Sequence, residues 1–506
     1  MSSATSYSKL GHIILSKETT AGTPVYPATA LELLSEDLVV NWDFTPAGTI
    51  AGNRSLNLRP IKNRIEAIEG TIEMLLEPNQ VGHVLTGLFG EATDTTLEAS
   101  TVFQHDFEPL NTLETYTMDI KMGGEDYVTR YFGVRIASVE MSINENKMNL
   151  SISVMAEKAF TNARVLTAAS SGTALNVDQT SGLTTSDTLI LVDASDMSTH
   201  EELTVSTVTD ENNLVVSTIS ESLAVNDIVL IKAQAPTYDL SNELIWSGGA
   251  QAFAANGANG IQNLSSEVNI EEMSLTFTNE LEPRWAAKGV DVVDRFPTTI
   301  LLKGFSVEGQ ITKYHQDVEF LDMLRSQEQL TLRFEWLGNA LSSNSAAAAS
   351  ATIESDGAGT ITVGVDASGE AGNDYAVIVQ AGTSASPTAA LSGKLITVSL
   401  GTTPSNNTVT AVASAIDALS GVSASDTGTD LITTTDNPEK IFFAGGRDAN
   451  EVEKLRIDLP DVRVRPFNAN ISSDDVMQEE INFTAFRDVN DDREVLVRLR
   501  NDISDY

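Results

Sequence analysis

A strand that alternates apolar and polar residues around a central glycine, and then runs into a short amphipathic helix, occurs twice in this chain. The first copy extends from Ile65 to Gly90 and the second from Phe305 to Arg325, which sets the central glycines, Gly70 and Gly309, 239 positions apart. A unit of this size cannot bury its own apolar face, so its repetition points to modules stacked on one plan. A repeated assembly unit without a catalytic cluster points to scaffolding before chemistry.

Period-two alternation assigns the faces. In the first strand, Ile68, Ile72, Met74 and Leu76 with Gly70 take one side, while Glu69, Thr71, Glu73 and Glu77 take the other. From Ser138 to Glu157 the pattern predicts a hairpin with Glu140, Ser142, Asn149, Ser151 and Ser153 on its polar side. Its counterpart begins at Val462 and returns from Glu480 to Phe486, and Glu308 and Gln310 flank Gly309 on the wet side. Pro78 and Asn79 open the first helix, Val81, Val84, Leu85 and Leu88 form its stripe, and Gly90 stops it. A second helix is expected with Asp317 as cap and Phe320, Leu321 and Leu324 as its apolar stripe.

Two segments interrupt this scheme. Residues 165–233 are Ser/Thr/Asp-rich with short strands and predict a small all-β insert; residues 339–446 open on a Ser/Ala linker and predict an α+β insert with one helix over Val409, Val412, Ile416 and Leu419. The expected domains are therefore 1–164, the insert 165–233, a second module made of 234–338 and 447–506, and the insert 339–446. The strands on either side of the second insert, Leu330–Trp336 and Glu453–Leu459, read as sheet neighbours, which places that insert on a hairpin tip.

Composition excludes several functions. With 71 Asp+Glu against 31 Lys+Arg the formal net charge is −40, which disfavours sequence-reading of nucleic acid, because phosphate binding needs a basic footprint. There is no cysteine, hence no disulfide or thiolate metal site. No stretch approaches a membrane span and the start lacks a signal-peptide pattern. No phosphate-binding loop, zinc-protease or nucleophile-elbow motif occurs, so no catalytic, cofactor or metal residues are assigned. The run from Asp193 to Glu202 lacks the EF-hand glycine and carboxylate spacing and reads as a solvated turn.

In order along the chain, Lys17–Pro24, Ile68–Glu73 with its helix, Tyr131–Ile143, Met273–Leu281, Gly304–Thr312, Leu455–Arg463, Ile481–Asp488 and Arg493–Asp502 resemble the tail tube (major tail) proteins of long-tailed, siphovirus-type bacterial and archaeal viruses. The resemblance implies a mainly β fold of two tandem sandwich or barrel modules. Their strands would join those of neighbouring chains in a ring, three chains giving a pseudo-sixfold one, and the rings would stack into a tube for double-stranded DNA. Glu69, Thr71, Glu73, Glu140, Ser142, Asn149, Ser151, Ser153, Glu308 and Gln310 would then face the lumen, and Gly70 and Gly309 would bend the sheet. The implied partners are further copies, other tail proteins and passing DNA; the implied location is the virion tail, after assembly in the host cytoplasm. A receptor- or carbohydrate-binding tail decoration is the alternative, but all four tryptophans lie outside the inserts.

Overall fold

The computed structural model describes residues 10–42, 66–98, 101–144, 146–160, 164–255, 264, 266–267, 270–285, 296–314, 329–343, 346–437, 439–465, 469–470, 478–489 and 491–506. The expected second helix, with Asp317, Phe320, Leu321 and Leu324, lies outside them.

The fold is mainly β. The strands that carry the argument are β1 (His12–Lys17), β2 (Val39–Trp42), β3 (Glu66–Leu75), β4 (Val102–Phe107), β5 (Tyr116–Lys121), β6 (Val128–Asn144) and β7 (Lys147–Ala156) in the first half. The second half has β8 (Gly249–Ala255), β9 (Glu272–Arg284), β10 (Thr299–Tyr314), β11 (Leu330–Ser343), β12 (Asn450–Val464), β13 (Gln478–Phe486) and β14 (Leu496–Asn501). Antiparallel pairing links eight of these in the order β2–β3–β7–β6–β9–β10–β13–β12.

The two halves repeat each other rung for rung. In the first, Tyr116 faces Val134, a bulge follows, and Met118 and Asp119 face Tyr131 and Arg130. In the second, Leu330 faces Val462, a bulge follows, and Leu332 and Arg333 face Leu459 and Asp458. The order β1–β5–β6 likewise recurs as β8–β11–β12. A bulge adds twist and re-aims the strand beyond it, so its recurrence at one rung means that both halves turn their long strand at the same place.

The halves share one core. Helix α1 (Pro78–Phe89) starts at a proline whose missing N–H costs the first turn nothing, and stops at Gly90, whose φ of 101° suits glycine. Its last residue, Phe89, is fully buried and meets Phe107 of the first half and Phe277 and Phe305 of the second at ring-centroid distances of 6.4, 5.5 and 5.6 Å. The buried Asn279 of β9 donates to Leu88 O at 2.8 Å and Ile136 O at 3.1 Å, capping α1 from the other half. The final strand β14 crosses the sequence boundary as well, lying between β12 and β4 of the first half.

The inserts have cores of their own. One gathers Leu175, Leu189, Leu203, Val216 and Ile231; the other gathers Ile353, Val363, Ile396 and Val398 with Val409, Val412 and Ile416 of α2 (Val409–Asp417). Strands β11 and β12 do pair around the second insert, as the sequence predicts.

Candidate assembly surface

The residues predicted to be polar-facing come together on one side of the eight-stranded sheet. One row crosses it as Glu73, Ser151, Glu140, Thr276, Glu308 and Thr484, each opposite the next on the neighbouring strand. A second row is Asn149, Ser142, Ser274, Gln310 and Asn482, and a third is Thr71, Ser153, Ser138, Thr278 and Ser306. Glu69, on the same face of β3, lies opposite Met155. Glu69, Glu73, Glu140 and Glu308 are exposed, Thr71, Ser142, Asn149, Ser151, Ser153 and Gln310 are half-buried, and Glu77, expected on the polar side, is instead buried just before the first turn of α1.

Sheet geometry spaces the carboxylates of the first row. Glu73, Glu140 and Glu308 stand on alternate strands with a hydroxyl between them, so no two like charges sit directly opposite, and alternate strands are about 10 Å apart. That is one screening length at roughly 0.1 M salt. Ser35 Oγ donates to Glu73 at 2.8 Å, and Arg465 pairs with Glu308. The other face is apolar: Ile72, Ile152, Val139, Phe277 and Val307 form one row of the buried core.

Gly70 and Gly309 both lie on this apolar side, and the ladders pass through both without a register shift. Glycine is required here for clearance: a Cβ on Gly70 would fall 2.4 Å from Leu38 Cα, and one on Gly309 would fall 2.3 Å from the ring of Phe483. Register shifts fall on β5–β6 and β11–β12, on β9–β10 between Asn279 and Leu281, and on β6–β7 between Ser153 and Val154, the residues opposite Thr71 and Gly70.

The sequence reading leaves out Ser138, Ser274, Thr276, Thr278, Ser306, Asn482 and Thr484, which complete the polar face. Their signal was the alternation in Met273–Leu281 and in the strands around it, but which strand neighbours which is a property of topology. The histidines, separate in sequence, partly meet in space: His83 and His105 each contact Tyr506 edge-on at 4.9 Å.

At the sheet ends, β2 pairs only with β3 among the described residues, and Val39 on it is 49% exposed. At the opposite end residues 469–470 pair with β13 alone among the described residues.

The family model of the phage tail tube protein matches residues 9–241 and again residues 231–371. The chain belongs to the phage tail tube protein family. The first match takes in β1–β7 and the second β8–β11, ending before β12–β14. Membership makes this a structural protein of the virion tail that assembles with itself into the tube and contacts other tail proteins. No helix among the described residues is long and apolar enough to cross a membrane. No curated protein matches the chain.

Proposed function

We propose that three chains close into a ring, that rings stack into a tube, and that the polar face forms the wall of a bore conducting double-stranded DNA. The observation that carries this is the β6–β9 ladder, in which residues 138–142 of the first half already pair with 274–278 of the second. By the internal repeat, residues 469–470 correspond to 141–142 and residues 37–38 to 274–275. Repeating the same step between chains therefore sets 469–470 of one copy against 37–38 of the next, and both sheet edges are used up.

Barrel geometry supports the copy number. At about 4.8 Å between strands and a tilt near 40°, eight strands would close at roughly 16 Å across, backbone to backbone, which side chains alone would fill. Three chains would give about 48 Å, room for a hydrated duplex, whereas six would give about 95 Å. In this ring Glu69, Thr71, Glu73, Glu140, Ser142, Asn149, Ser151, Ser153, Glu308 and Gln310 line the bore. Gly70 and Gly309 permit the close packing that a curved sheet needs on its outer side. Assembly takes place in the host cytoplasm. Electron microscopy of purified tubes tests this: a threefold cross-section with a pseudo-sixfold inner wall is expected, and six full-length chains per ring would overturn it.

A further inference from the structure

We propose that Asp193, His200 and Asp227 of the first insert form a binding site for a divalent transition-metal ion, with zinc the best fit. Their ligand atoms, two carboxylate oxygens and one imidazole nitrogen, lie within 4.8 Å of one another. The sheet, rather than a loop, brings them together. Val192 closes the strand Thr188–Val192 and faces both Thr199 and Ile228; Asp193 follows it, His200 follows Thr199, and Asp227 precedes Ile228. All three donors thus sit at one end of three adjacent strands.

The separations fit metal ligation better than an ion pair. His200 Nε2 stands 3.6 Å from Asp193 Oδ2 and 3.6 Å from Asp227 Oδ2, too far for a hydrogen bond to either. Zinc–ligand bonds of 2.0–2.2 Å in a tetrahedron put neighbouring donors about 3.4 Å apart. Asp227 is 3% exposed and accepts the Ala224 N–H at 2.8 Å, yet has no cation within hydrogen-bond reach among the described residues. A buried carboxylate in that situation calls for a counter-charge. Asp193 is held through its other oxygen, Oδ1, which accepts the Ser195 N–H at 2.7 Å and leaves Oδ2 aimed at the histidine. A nitrogen donor beside two carboxylates favours zinc or a similar ion over calcium or magnesium, which prefer oxygen alone. The bound ion would staple the Asp193–Ser198 loop to the start of the strand Ile228–Ile231, and a fourth position stays open to solvent.

The test is calorimetric titration of the full-length, chelator-treated protein with zinc chloride in a large excess of magnesium, which occupies the acidic surface non-specifically. One zinc per chain is expected, with affinity reduced at least roughly tenfold in His200→Ala. Asp193→Asn, on a partly exposed side chain, is the second variant and should lose affinity likewise, circular dichroism verifying that both are folded. Zinc affinity equal in wild type and both variants would overturn the site. So would absence of uptake at millimolar zinc, with the His200 ring found protonated by NMR as the centre of an ion triad.

Discussion

Arg130 and Arg333 stand at the same rung of the two halves, and each reaches out of the shared sheet into an insert. Arg130 Nε donates to its cross-strand neighbour Asp119 at 2.6 Å, and its Nη1 and Nη2 fork onto Asp187 of the first insert at 2.7 and 2.9 Å. Arg333 Nε donates to its cross-strand neighbour Asp458 at 2.6 Å, and its Nη atoms fork onto Asp374 of the second insert, both at 2.9 Å. The cross-strand pair has exchanged sides between the halves, acid on β5 in one and arginine on β11 in the other. Although the inserts leave the chain at different loops, they dock at equivalent stations, and a ring would carry the two kinds in alternation.

Asp187→Ala is expected to destabilise the protein by about 3–5 kcal/mol, because it leaves the buried Arg130 with one carboxylate where it had two. Replacing Arg130, Asp119 and Asp187 together with apolar residues of similar volume should recover most of that loss, since desolvating the ions cancels much of their attraction. Denaturant unfolding of both variants checks this; a single-variant cost below about 1 kcal/mol would show the fork to be marginal.

Deleting the inserts should have unequal effects. The sequence alone presents both as inserts between strands of the main sheet, but the second supplies Glu370 and Asp374 to a buried cluster with Arg333, Lys454, Arg456 and Arg500. Burial alone would raise the Asp374 carboxyl, yet Arg456 and Arg333 hold it well below its ordinary value. Removing 342–445 takes two buried carboxylates from four cations and should abolish soluble expression, whereas removing 166–232 takes one buried carboxylate, Asp187, from Arg130 and the Ser181 carbonyl from the half-buried Arg164. Equal yields of folded protein from the two deletions would contradict this ranking.

How much of this was legible beforehand follows from which signals are local. Alternation placed Ile72 inward and Glu73 outward, and Pro78 and Gly90 bounded α1, because face and helix ends are set within a few residues. The joining of Val139 to Phe277, the capping of α1 by Asn279 and the return of β14 to β4 depend on contacts more than 100 positions apart, which leave no periodic trace. Arg130 and Arg333 carry no local signal, and register alone puts each beside an aspartate. Gly70 and Gly309 were visible as a repeat, but their reason, clearance for Leu38 and Phe483, is tertiary.

That clearance gives a graded prediction. Gly70→Ala presses on the Leu38 backbone, which cannot rotate away, while Gly309→Ala presses on the ring of Phe483. The first should cost more, both falling in the roughly 1–3 kcal/mol range of overpacked cores. Adding Phe483→Leu should relieve Gly309→Ala and leave Gly70→Ala unchanged; relief of both, seen by thermal unfolding, would contradict the separate contacts.

The docking of the C-terminus should depend on pH. Burial, aided by Lys17, pulls His83 from its ordinary 6.5 down to about 4, and its ring lies edge-on to Tyr506, whose backbone oxygen accepts from Lys17 Nζ at 3.0 Å. A base held neutral in the folded state contributes its stability above pH 6.5 and loses it as pH falls toward 4, by up to about 3 kcal/mol. Replacing His83 with Leu should flatten this window in urea titrations, and an unchanged pH profile would remove His83 as its cause.

The last prediction concerns the charge of the bore. Phosphate contacts by Lys or Arg strengthen steeply at low salt, so a wall of carboxylates and hydroxyls keeps a passing duplex mobile. The net charge of −40 is not by itself evidence for this, because the inserts share it, each with ten acidic residues that lie outside the polar face of the eight-stranded sheet. Salt adaptation of the whole exterior, where closely spaced charges are screened, is the rival cause for that part. The two causes separate by position. Changing Glu69, Glu73, Glu140 and Glu308 to Lys should leave tubes intact, make purified tubes retain DNA with a marked inverse dependence on salt, and slow genome delivery. The same number of reversals on the first insert, at Glu201, Glu202, Glu211 and Glu221, should do neither. DNA retention by the insert variant alone would place the wall elsewhere and leave solvent adaptation as the whole explanation of the charge.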